Sequence, residues 1–270
     1  MLSGLGAVIV AGIIVGAVFR SSREKNLMLR DIPEEWMMIL KRNVALYRYL
    51  PEELKEELHG RINIFMDEKD FEGCGGLSIT TEIKVTIAAQ ASILLLGKNL
   101  ECYPSLHSVL VYPSSYVTSG PRRLGEQVVQ GGEAALDGES WAYGDVILTW
   151  DAVKYESRKL GIGNNVVLHE FAHQLDQANG VADGIPILRS REEYDRWNKI
   201  MEEEFNELCS EAENGVEDVI DEYGATNHAE FFAVATEAFF SCPKLMLQKH
   251  PPLYNELKEF YCLDPAAWNY

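Results

Sequence analysis

The sequence predicts a mostly helical α+β fold, preceded by a transmembrane helix at the amino terminus. Three observations lead to this prediction: an uncharged apolar run at residues 2–19, helix start signals that recur through residues 32–100, and two strand-like segments at 109–112 and 146–150. With 270 residues and 47% apolar composition, the chain can bury a sizeable core.

The apolar run at residues 2–19 contains 18 residues, which rise about 27 Å as a helix, close to the thickness of the hydrocarbon core. No basic residue precedes the run, while Arg20, Arg23 and Lys25 follow it, an order unlike that of a cleavable signal peptide. By the positive-inside rule, the residues after the run face the cytoplasm. We therefore expect a single-pass anchor in the cell membrane; a signal peptide or a buried core helix is the alternative.

The remainder of the chain begins with a segment expected to be a polar linker, residues 20–31. Pro33 and Pro51 are each followed by two glutamates, an order favoured where a helix begins. The apolar run at residues 83–96 is too short for a second membrane span and indicates a core helix. Residues 114–143 are rich in glycine, serine and charge, which predicts a hairpin or loop.

We expect three regions along the chain. Residues 1–25 form the membrane anchor and residues 26–108 form a helical region. Residues 109–270 carry the candidate catalytic residues, and this region packs with the preceding one as a single compact unit.

Charge and cysteine content exclude two classes of protein. The chain has 42 acidic against 24 basic residues, a net charge of −18, whereas a nucleic-acid-binding face must be basic. The five cysteines are odd in number and form no C-x-x-C pair, which favours free thiols in a reducing compartment over a disulfide framework or zinc finger. The absence of a G-x-S-x-G string argues against a serine hydrolase.

The most informative string in the chain is H-E-F-A-H, which begins at His169 and ends at His173. Residues i and i+4 lie on one face of a helix, so both imidazoles can bind one metal ion, and Glu170 between them can reach a water on that metal. The pair Asn164-Asn165 offers a helix cap before the string. The alternative is two ordinary histidines beside an exposed glutamate, but the apolar flanks argue against it because buried His and Glu need partners.

A catalytic zinc ion takes three protein ligands and leaves one position for water, so a third ligand is needed. Asp176 lies a full turn beyond His173 on a short side chain, and we expect it to orient a ligand or cap the helix. His228 lies at the start of a later helix and is expected to face solvent.

Glu230 and Glu237 are seven residues apart on an apolar helix that Asn227 could cap, so they share one face. Two acids on so apolar a helix cannot be buried unpaired. One could bind zinc while the other accepts a hydrogen bond from a ligand imidazole; alternatively, both face solvent. The spacing alone does not choose between the two glutamates.

Taken together, H-E-F-A-H-Q-L-D and the later Y-G-A-T-x-x-A-E-F-F-A-V-A-T-E-x-F-F resemble the Mlc titration factor A family of zinc-dependent peptidases. The catalytic core of that family is similar to lethal-factor-type gluzincins, so the resemblance implies a zincin-like metallopeptidase core. It covers roughly residues 32–262, with further matches at Phe65, Lys69, Phe71, Gly73, residues 87–91, residues 111–113 and residues 163–165.

The resemblance implies a role for each matching residue. His169 and His173 become zinc ligands, Glu230 the third ligand, Glu170 the general base and Tyr223 an electrophilic helper. It also implies Zn²⁺ as the cofactor, a peptide or protein as the substrate and an aminopeptidase-like activity. In zincins a strand edge beside the active-site helix often holds the substrate, and residues 146–150 are our candidate for it.

One departure from the family is the apparent membrane anchor, since familiar members are soluble. A membrane-tethered binding module that captures a transcription regulator or another protein is therefore the alternative function. In that case zinc is structural, with Asp176 or Glu237 as a fourth ligand. A purely structural membrane protein is a third possibility, which predicts that no zinc is bound.

Overall fold

The computed structural model describes residues 22–98, 100–114, 144–161 and 163–269, together with the backbone of short strands between residues 116 and 140. The predicted membrane anchor at residues 2–19 lies outside the described residues. Among the helices that are described, none combines the length and the apolar character needed to cross a membrane. The boundaries of the three expected regions stay predictions.

Helices dominate the first part of the chain. They are α1 (residues 22–28), α2 (Glu34–Asn43), α3 (Ala45–Tyr49), α4 (Glu52–Glu68) and α5 (Thr81–Ile93). The two proline signals are confirmed, because Pro33 caps α2 and Pro51 caps α4. The core helix predicted at residues 83–96 is also confirmed: α5 is buried from Val85 to its end, and the Thr80 hydroxyl accepts a hydrogen bond from the Ile83 amide at 3.3 Å.

The prediction of a polar linker at residues 20–31 is wrong for residues 22–28, which form α1 against α4. The side-chain amide of Asn63 donates to the carbonyls of Leu27 at 3.1 Å and Arg30 at 2.6 Å. Gly60 permits this approach, since a Cβ there would lie 2.6 Å from the carbonyl oxygen of Met28. These stabilising groups belong to α4, so local composition could not reveal them.

A small sheet lies beside the helices, with strand order β1-β2-β8-β7. Its members are β1 (Asp70–Gly73), β2 (Ser108–Tyr112), β8 (Asp145–Thr149) and β7 (Gly138–Ser140). The first three run parallel, and β7 pairs antiparallel with β8. The strands predicted at 109–112 and 146–149 are confirmed, whereas Trp150 begins helix α6 (Trp150–Glu156).

The prediction that residues 146–150 offer a free strand edge for a peptide is wrong. β8 pairs with β2 on one side and with β7 on the other, so its backbone groups are already used within the sheet. The predicted hairpin at residues 114–143 supplies β7 and two short antiparallel ladders. These ladders join β3 (Tyr116–Val117) to β6 (Ala135–Leu136) and β4 (Arg122–Leu124) to β5 (Gln127–Val129).

The second part of the chain is again helical. It contains α7 (Val166–Asp176), α8 (Arg191–Glu213), α9 (His228–Ser241), α10 (Pro243–Lys249) and α11 (Pro251–Tyr261), with short 3-10 helices at Gln177–Asn179, Glu222–Thr226 and Pro265–Ala267. A buried core extends through the described chain from Ile32 to Trp268. Phe171 of α7 sits within it, 5.7 Å from the ring centroid of Phe65 and 4.8 Å from that of Tyr103. The mostly helical α+β class is therefore confirmed, and all five cysteines are free thiols, as expected.

Candidate functional site

The start of α7 is fixed by contacts with helices α5, α6 and α9. Asn165 caps it, because its side-chain oxygen accepts a hydrogen bond from the Leu168 amide at 3.1 Å. The Asn165 side-chain nitrogen donates to Gln90 of α5 at 2.7 Å. The Val166 amide donates to the carboxylate of Glu156 in α6 at 2.6 Å. Satisfying these buried backbone and side-chain groups sets the position and direction of the helix that carries the H-E-x-x-H string.

Helix α9 packs against α7 and is almost entirely buried. Asn227 caps it as predicted, since its side-chain oxygen accepts from the Glu230 amide at 3.0 Å. Every residue of α9 except His228 and Glu230 is buried. The apolar faces of the two helices bring Glu230 and Glu237 towards the histidines of α7.

Three side chains converge on one point between these helices, and we call them the donor cluster: His169, His173 and Glu230. The Nε2 atoms of the two histidines are 3.2 Å apart. One carboxylate oxygen of Glu230 lies 3.1 Å from Nε2 of His169 and 3.3 Å from Nε2 of His173. Two imidazoles and a carboxylate therefore direct lone-pair atoms at the same small volume.

Glu237 contacts the opposite side of the His169 ring. One of its carboxylate oxygens lies 2.7 Å from Nδ1 of His169, and the other accepts a hydrogen bond from the backbone amide of Asn165. A carboxylate that holds Nδ1 fixes the ring with Nε2 towards the donor cluster. The structure thus separates the two glutamates that helical spacing alone could not distinguish.

The charges in the site depend on one another. Burial lowers the pKa of His169, but its hydrogen bonds with Glu230 and Glu237 outweigh burial and raise the pKa to about 10. Burial raises the pKa of Glu230, but the two histidines outweigh it and lower that pKa to about 2. Burial dominates at Glu237 and raises its pKa despite His169. The surroundings of His169 thus strongly favour positive charge at the point where the three side chains meet.

Glu170 and Tyr223 flank the cluster. Glu170 is 3% exposed, and its charge contributes to the raised pKa of His169. The ring centroid of Tyr223 lies 6.1 Å from that of His169, and the side chain is 54% exposed. Burial raises the pKa of the Tyr223 hydroxyl, and the charges of Glu230 and Glu170 raise it further. The phenol therefore stays protonated and can donate a hydrogen bond on the solvent side of the site.

The 3-10 helix that carries Tyr223 is tightly seated. The carboxylate of Asp221 caps it by accepting from the Tyr223 amide at 2.8 Å. Gly224 lets the turn approach α9, since a Cβ there would lie 2.5 Å from a side-chain carbon of Val234. The position of the tyrosine thus depends on two neighbours within two residues of it.

Besides Glu237, two of the candidates from the sequence, Asp176 and His228, do not join the donor cluster. Burial raises the pKa of Asp176, against the effect of the nearby backbone amides of Gly184 and Ile185. Both carboxylate oxygens of Asp176 are buried and have no side-chain hydrogen bond among the described residues, so the role expected for Asp176 beside His173 or at the helix end stays a prediction. His228, expected to face solvent, is only partly exposed: its ring stacks on Phe205 with centroids 4.2 Å apart, and its Nε2 lies 2.9 Å from a carboxylate oxygen of Glu202.

Sequence reasoning missed three residues that position the site: Gln90, Glu156 and Asp221. Asp221 precedes a short helix at a cap position, a signal that could have identified it. Gln90 is an isolated polar residue in an alanine-rich core helix, and a buried amide demands a partner. Glu156 gave no local signal, because its partner is a backbone amide ten residues away.

The donor cluster fits a zinc ion. Zinc–ligand bonds of about 2.0–2.1 Å at tetrahedral angles place neighbouring ligand atoms about 3.3 Å apart, and the three separations here are 3.1, 3.2 and 3.3 Å. Among the described residues, the possible metal ligands that meet at this point are His169, His173 and Glu230. Glu237 is excluded as a fourth ligand because it contacts Nδ1, on the other side of the ring.

A protein-family model described as glucose-regulated metallo-peptidase M90 matches residues 19–262. The chain belongs to this family. An uncharacterized protein of Synechocystis sp. is 38% identical over 244 residues, covering 90% of this chain and 89% of its own length. Mlc titration factor A of Serratia proteamaculans is 32% identical, covering 75% of this chain and 77% of its own length. The protein of the same name from Yersinia pestis is 30% identical and covers 83% of each chain. The resemblance identified from the sequence motifs is confirmed.

Proposed function

We propose that this protein is a zinc-dependent metallopeptidase, with His169, His173 and Glu230 as the zinc ligands. The convergence of three donor atoms within 3.1–3.3 Å of one another carries this proposal. Membership of a metallo-peptidase family supports it. A set of three protein ligands leaves one position for water, as in catalytic zinc sites, whereas structural sites are closed by four.

The residues around the cluster have distinct roles in the proposed reaction. When bound, zinc supplies a Lewis acid and lowers the pKa of a coordinated water. Glu170 accepts a proton from the attacking water and returns it to the leaving amine. The Tyr223 hydroxyl donates a hydrogen bond to the oxyanion as the tetrahedral intermediate forms. Glu237 accepts a hydrogen bond from the Nδ1–H group of His169 and so leaves the Nε2 lone pair available for the metal.

The proposed substrate is a peptide bound in an extended conformation. β7 forms the end of the four-stranded sheet and packs beside α7. Its outer edge, rather than that of β8, is therefore where a substrate can add as a further strand. We propose an aminopeptidase-like activity on such peptides.

Hydrolysis assays test the proposal directly. We expect the protein to cleave casein or chromogenic aminoacyl substrates, to lose this activity with a chelator and to regain it with zinc. Glu170→Gln should bind zinc as the wild type does but lose turnover, because an amide cannot accept the water proton. Glu202→Gln, which changes an exposed glutamate beside His228, is the matched control and should keep full activity. Wild-type turnover by Glu170→Gln would contradict the base assignment.

The second candidate function is protein capture. The name Mlc titration factor A, carried by relatives at 30–32% identity, favours it. In this case the protein binds a transcription regulator or another protein, and zinc has a structural role. This alternative predicts zinc bound by four protein ligands and no hydrolysis of any peptide offered. Hydrolysis that depends on Glu170 would exclude this role for zinc.

We also propose that residues 2–19 anchor the chain in the cell membrane with the catalytic region facing the cytoplasm. The proposal rests on the length of the apolar run and on the basic residues that follow it. Full-length protein should remain with membranes after a high-salt wash and be released by detergent. Release by salt alone would contradict the anchor.

A further inference from the structure

A cavity separate from the donor cluster lies between the turn after α5, the segment before α8 and the carboxyl end of α11. We call it the C-terminal cavity. Its volume is about 820 Å³, which is within the range of small-molecule sites. Its apolar lining comes from Leu100, Ile187, Leu188, Phe260 and Leu263. None of the proposed metal ligands or catalytic residues lines it.

The charged group that marks this cavity is Lys98. The side chain is only 9% exposed, and its Nζ lies 3.1 Å from the ring centroid of Phe260 and 4.9 Å from that of Tyr261. Aromatic faces stabilise a cation in part, but a buried ammonium still needs a counter-charge. Among the described residues, the ionisable neighbours that affect Lys98 are Cys262 and Arg189, and neither is a carboxylate.

Lys98 is held in place through its backbone. The carboxylate of Glu57 accepts a hydrogen bond from the Gly97 amide at 3.2 Å, and Arg61 donates to the Lys98 carbonyl. Gly97 has a φ of +67°, and a Cβ there would lie 3.2 Å from the carbonyl oxygen of Cys262. The turn is thus seated against the end of α11, and the lysine is directed into the cavity before any ligand arrives.

A second cation lies at the same wall. The guanidinium of Arg189 donates to the sulfur of Cys262 at 3.0 Å, and the arginine side chain is exposed. The other charged side chains of the lining have partners: Arg196 with Glu256 at 2.6 Å and Glu259 at 2.5 Å, Lys258 with Asp264 at 2.5 Å, and Glu193 with the backbone amide of Arg189 at 2.8 Å. Among the described residues, no carboxylate acts on the charge of Lys98. The carboxylate of Glu193 acts on the Arg189 guanidinium but forms no ion pair with it in the described lining.

Burial makes the charged form of Lys98 costly, so an anion next to its ammonium group would be stabilising. Burial lowers its pKa to about 7, and the smaller lowering by Arg189 is opposed by Cys262. An entering negative charge would offset the cost of keeping the ammonium charged out of water. The apolar surface next to the two cations favours a ligand that is not a bare inorganic ion.

We infer that the C-terminal cavity binds a small organic anion, with its carboxylate or phosphate held by Lys98 and Arg189 and its apolar body against Phe260 and Leu263. The inference does not depend on the peptidase proposal, because it concerns other residues and its test requires no turnover.

Calorimetric titration of the full chain tests this inference. The probes are phenylacetate, phenyl phosphate, the neutral analogue benzyl alcohol and inorganic phosphate. We expect one saturable site for at least one of the two aromatic anions, and binding weaker by tenfold or more, roughly, for benzyl alcohol, since the charge contacts are lost. Inorganic phosphate should also bind more weakly, because it lacks the apolar body. Comparison of the two aromatic anions distinguishes carboxylate from phosphate recognition.

Two variants and one control make the test specific. Lys98→Met and Arg189→Gln should each weaken binding by about tenfold or more. Arg189 is exposed, so its variant keeps the fold even if Lys98→Met does not. Lys199→Met removes an exposed cation of α8 that does not line the cavity, and it should bind as the wild type does. No saturable binding of either aromatic anion, or unchanged binding by Arg189→Gln, would overturn the inference.

Discussion

Glu237→Gln tests the role of a carboxylate that touches a proposed ligand but not the metal itself. In the wild type one oxygen of Glu237 faces Nδ1 of His169 at 2.7 Å, and the other accepts from the Asn165 amide. Glutamine has one oxygen and one NH₂ group, so it can accept only one of these two hydrogen bonds. The NH₂ group must then face a donor, either the Nδ1 proton of His169 or the amide that begins α7.

The expected cost follows from this mismatch. A buried donor left unsatisfied costs about 1–3 kcal/mol. If the NH₂ group faces His169, the imidazole proton must move to Nε2, where it blocks metal binding. Loss of such supporting carboxylates weakens metal binding by about 10- to 100-fold, which corresponds to about 1.4–2.7 kcal/mol. We therefore expect the zinc dissociation constant of Glu237→Gln to rise by that factor.

Competition between the protein and a fluorescent zinc chelator measures this dissociation constant. Glu202→Gln is the matched control, because Glu202 also holds an imidazole, that of His228 at 2.9 Å, but at the exposed surface. It should bind zinc as the wild type does. A dissociation constant for Glu237→Gln that equals the wild-type value would refute the assignment of Glu237 as the group that orients His169.

Three further predictions concern the tyrosine, its glycine neighbour and a buried histidine. Tyr223→Phe should lower kcat by about 10²- to 10³-fold, as expected for loss of one oxyanion donor; an unchanged kcat in steady-state assays would remove it from the reaction. Gly224→Ala should lower the free energy of unfolding by about 1–3 kcal/mol in urea titrations, because the added Cβ would lie 2.5 Å from a side chain of α9; an unchanged midpoint would contradict this. Burial lowers the pKa of His250, but hydrogen bonds with Glu204 and Asp218 raise it from 6.5 to about 8. The stabilisation by that imidazolium is therefore full below pH 6.5 and is lost as the pH rises through about 8. The difference in Tm between wild type and His250→Gln should shrink over this range, and a constant difference would argue against the ion cluster.

Local signals in the sequence were sufficient to predict the helix that carries His169 and His173. Its cap, predicted at Asn164-Asn165, and its apolar flanks are properties of consecutive residues, and the structure shows the helix start at Asn165. The cap at Asn227 and the strand at β2 were predictable for the same reason. The type of a single helix or strand, and the residue at which it begins, depend on residues within a few positions of it.

Relations between elements were not predictable in this way. The spacing of Glu230 and Glu237 puts both on one face, and only the packing of α9 against α7 shows which atom of His169 each one meets. Likewise, nothing in residues 146–150 reveals that strand β7 pairs with β8 and covers its edge. The docking of α1 depends on Asn63 and Gly60, more than thirty residues away along the chain. Such contacts depend on the tertiary arrangement rather than on local pattern.

The most direct test of the metal-site proposal is a crystal structure of the zinc-loaded protein with anomalous diffraction at the zinc edge. We expect one zinc peak within about 2.0–2.2 Å of Nε2 of His169, Nε2 of His173 and a carboxylate oxygen of Glu230, with water at the fourth position. A fourth protein ligand at that peak, or zinc bound away from these three residues, would contradict the proposed catalytic site.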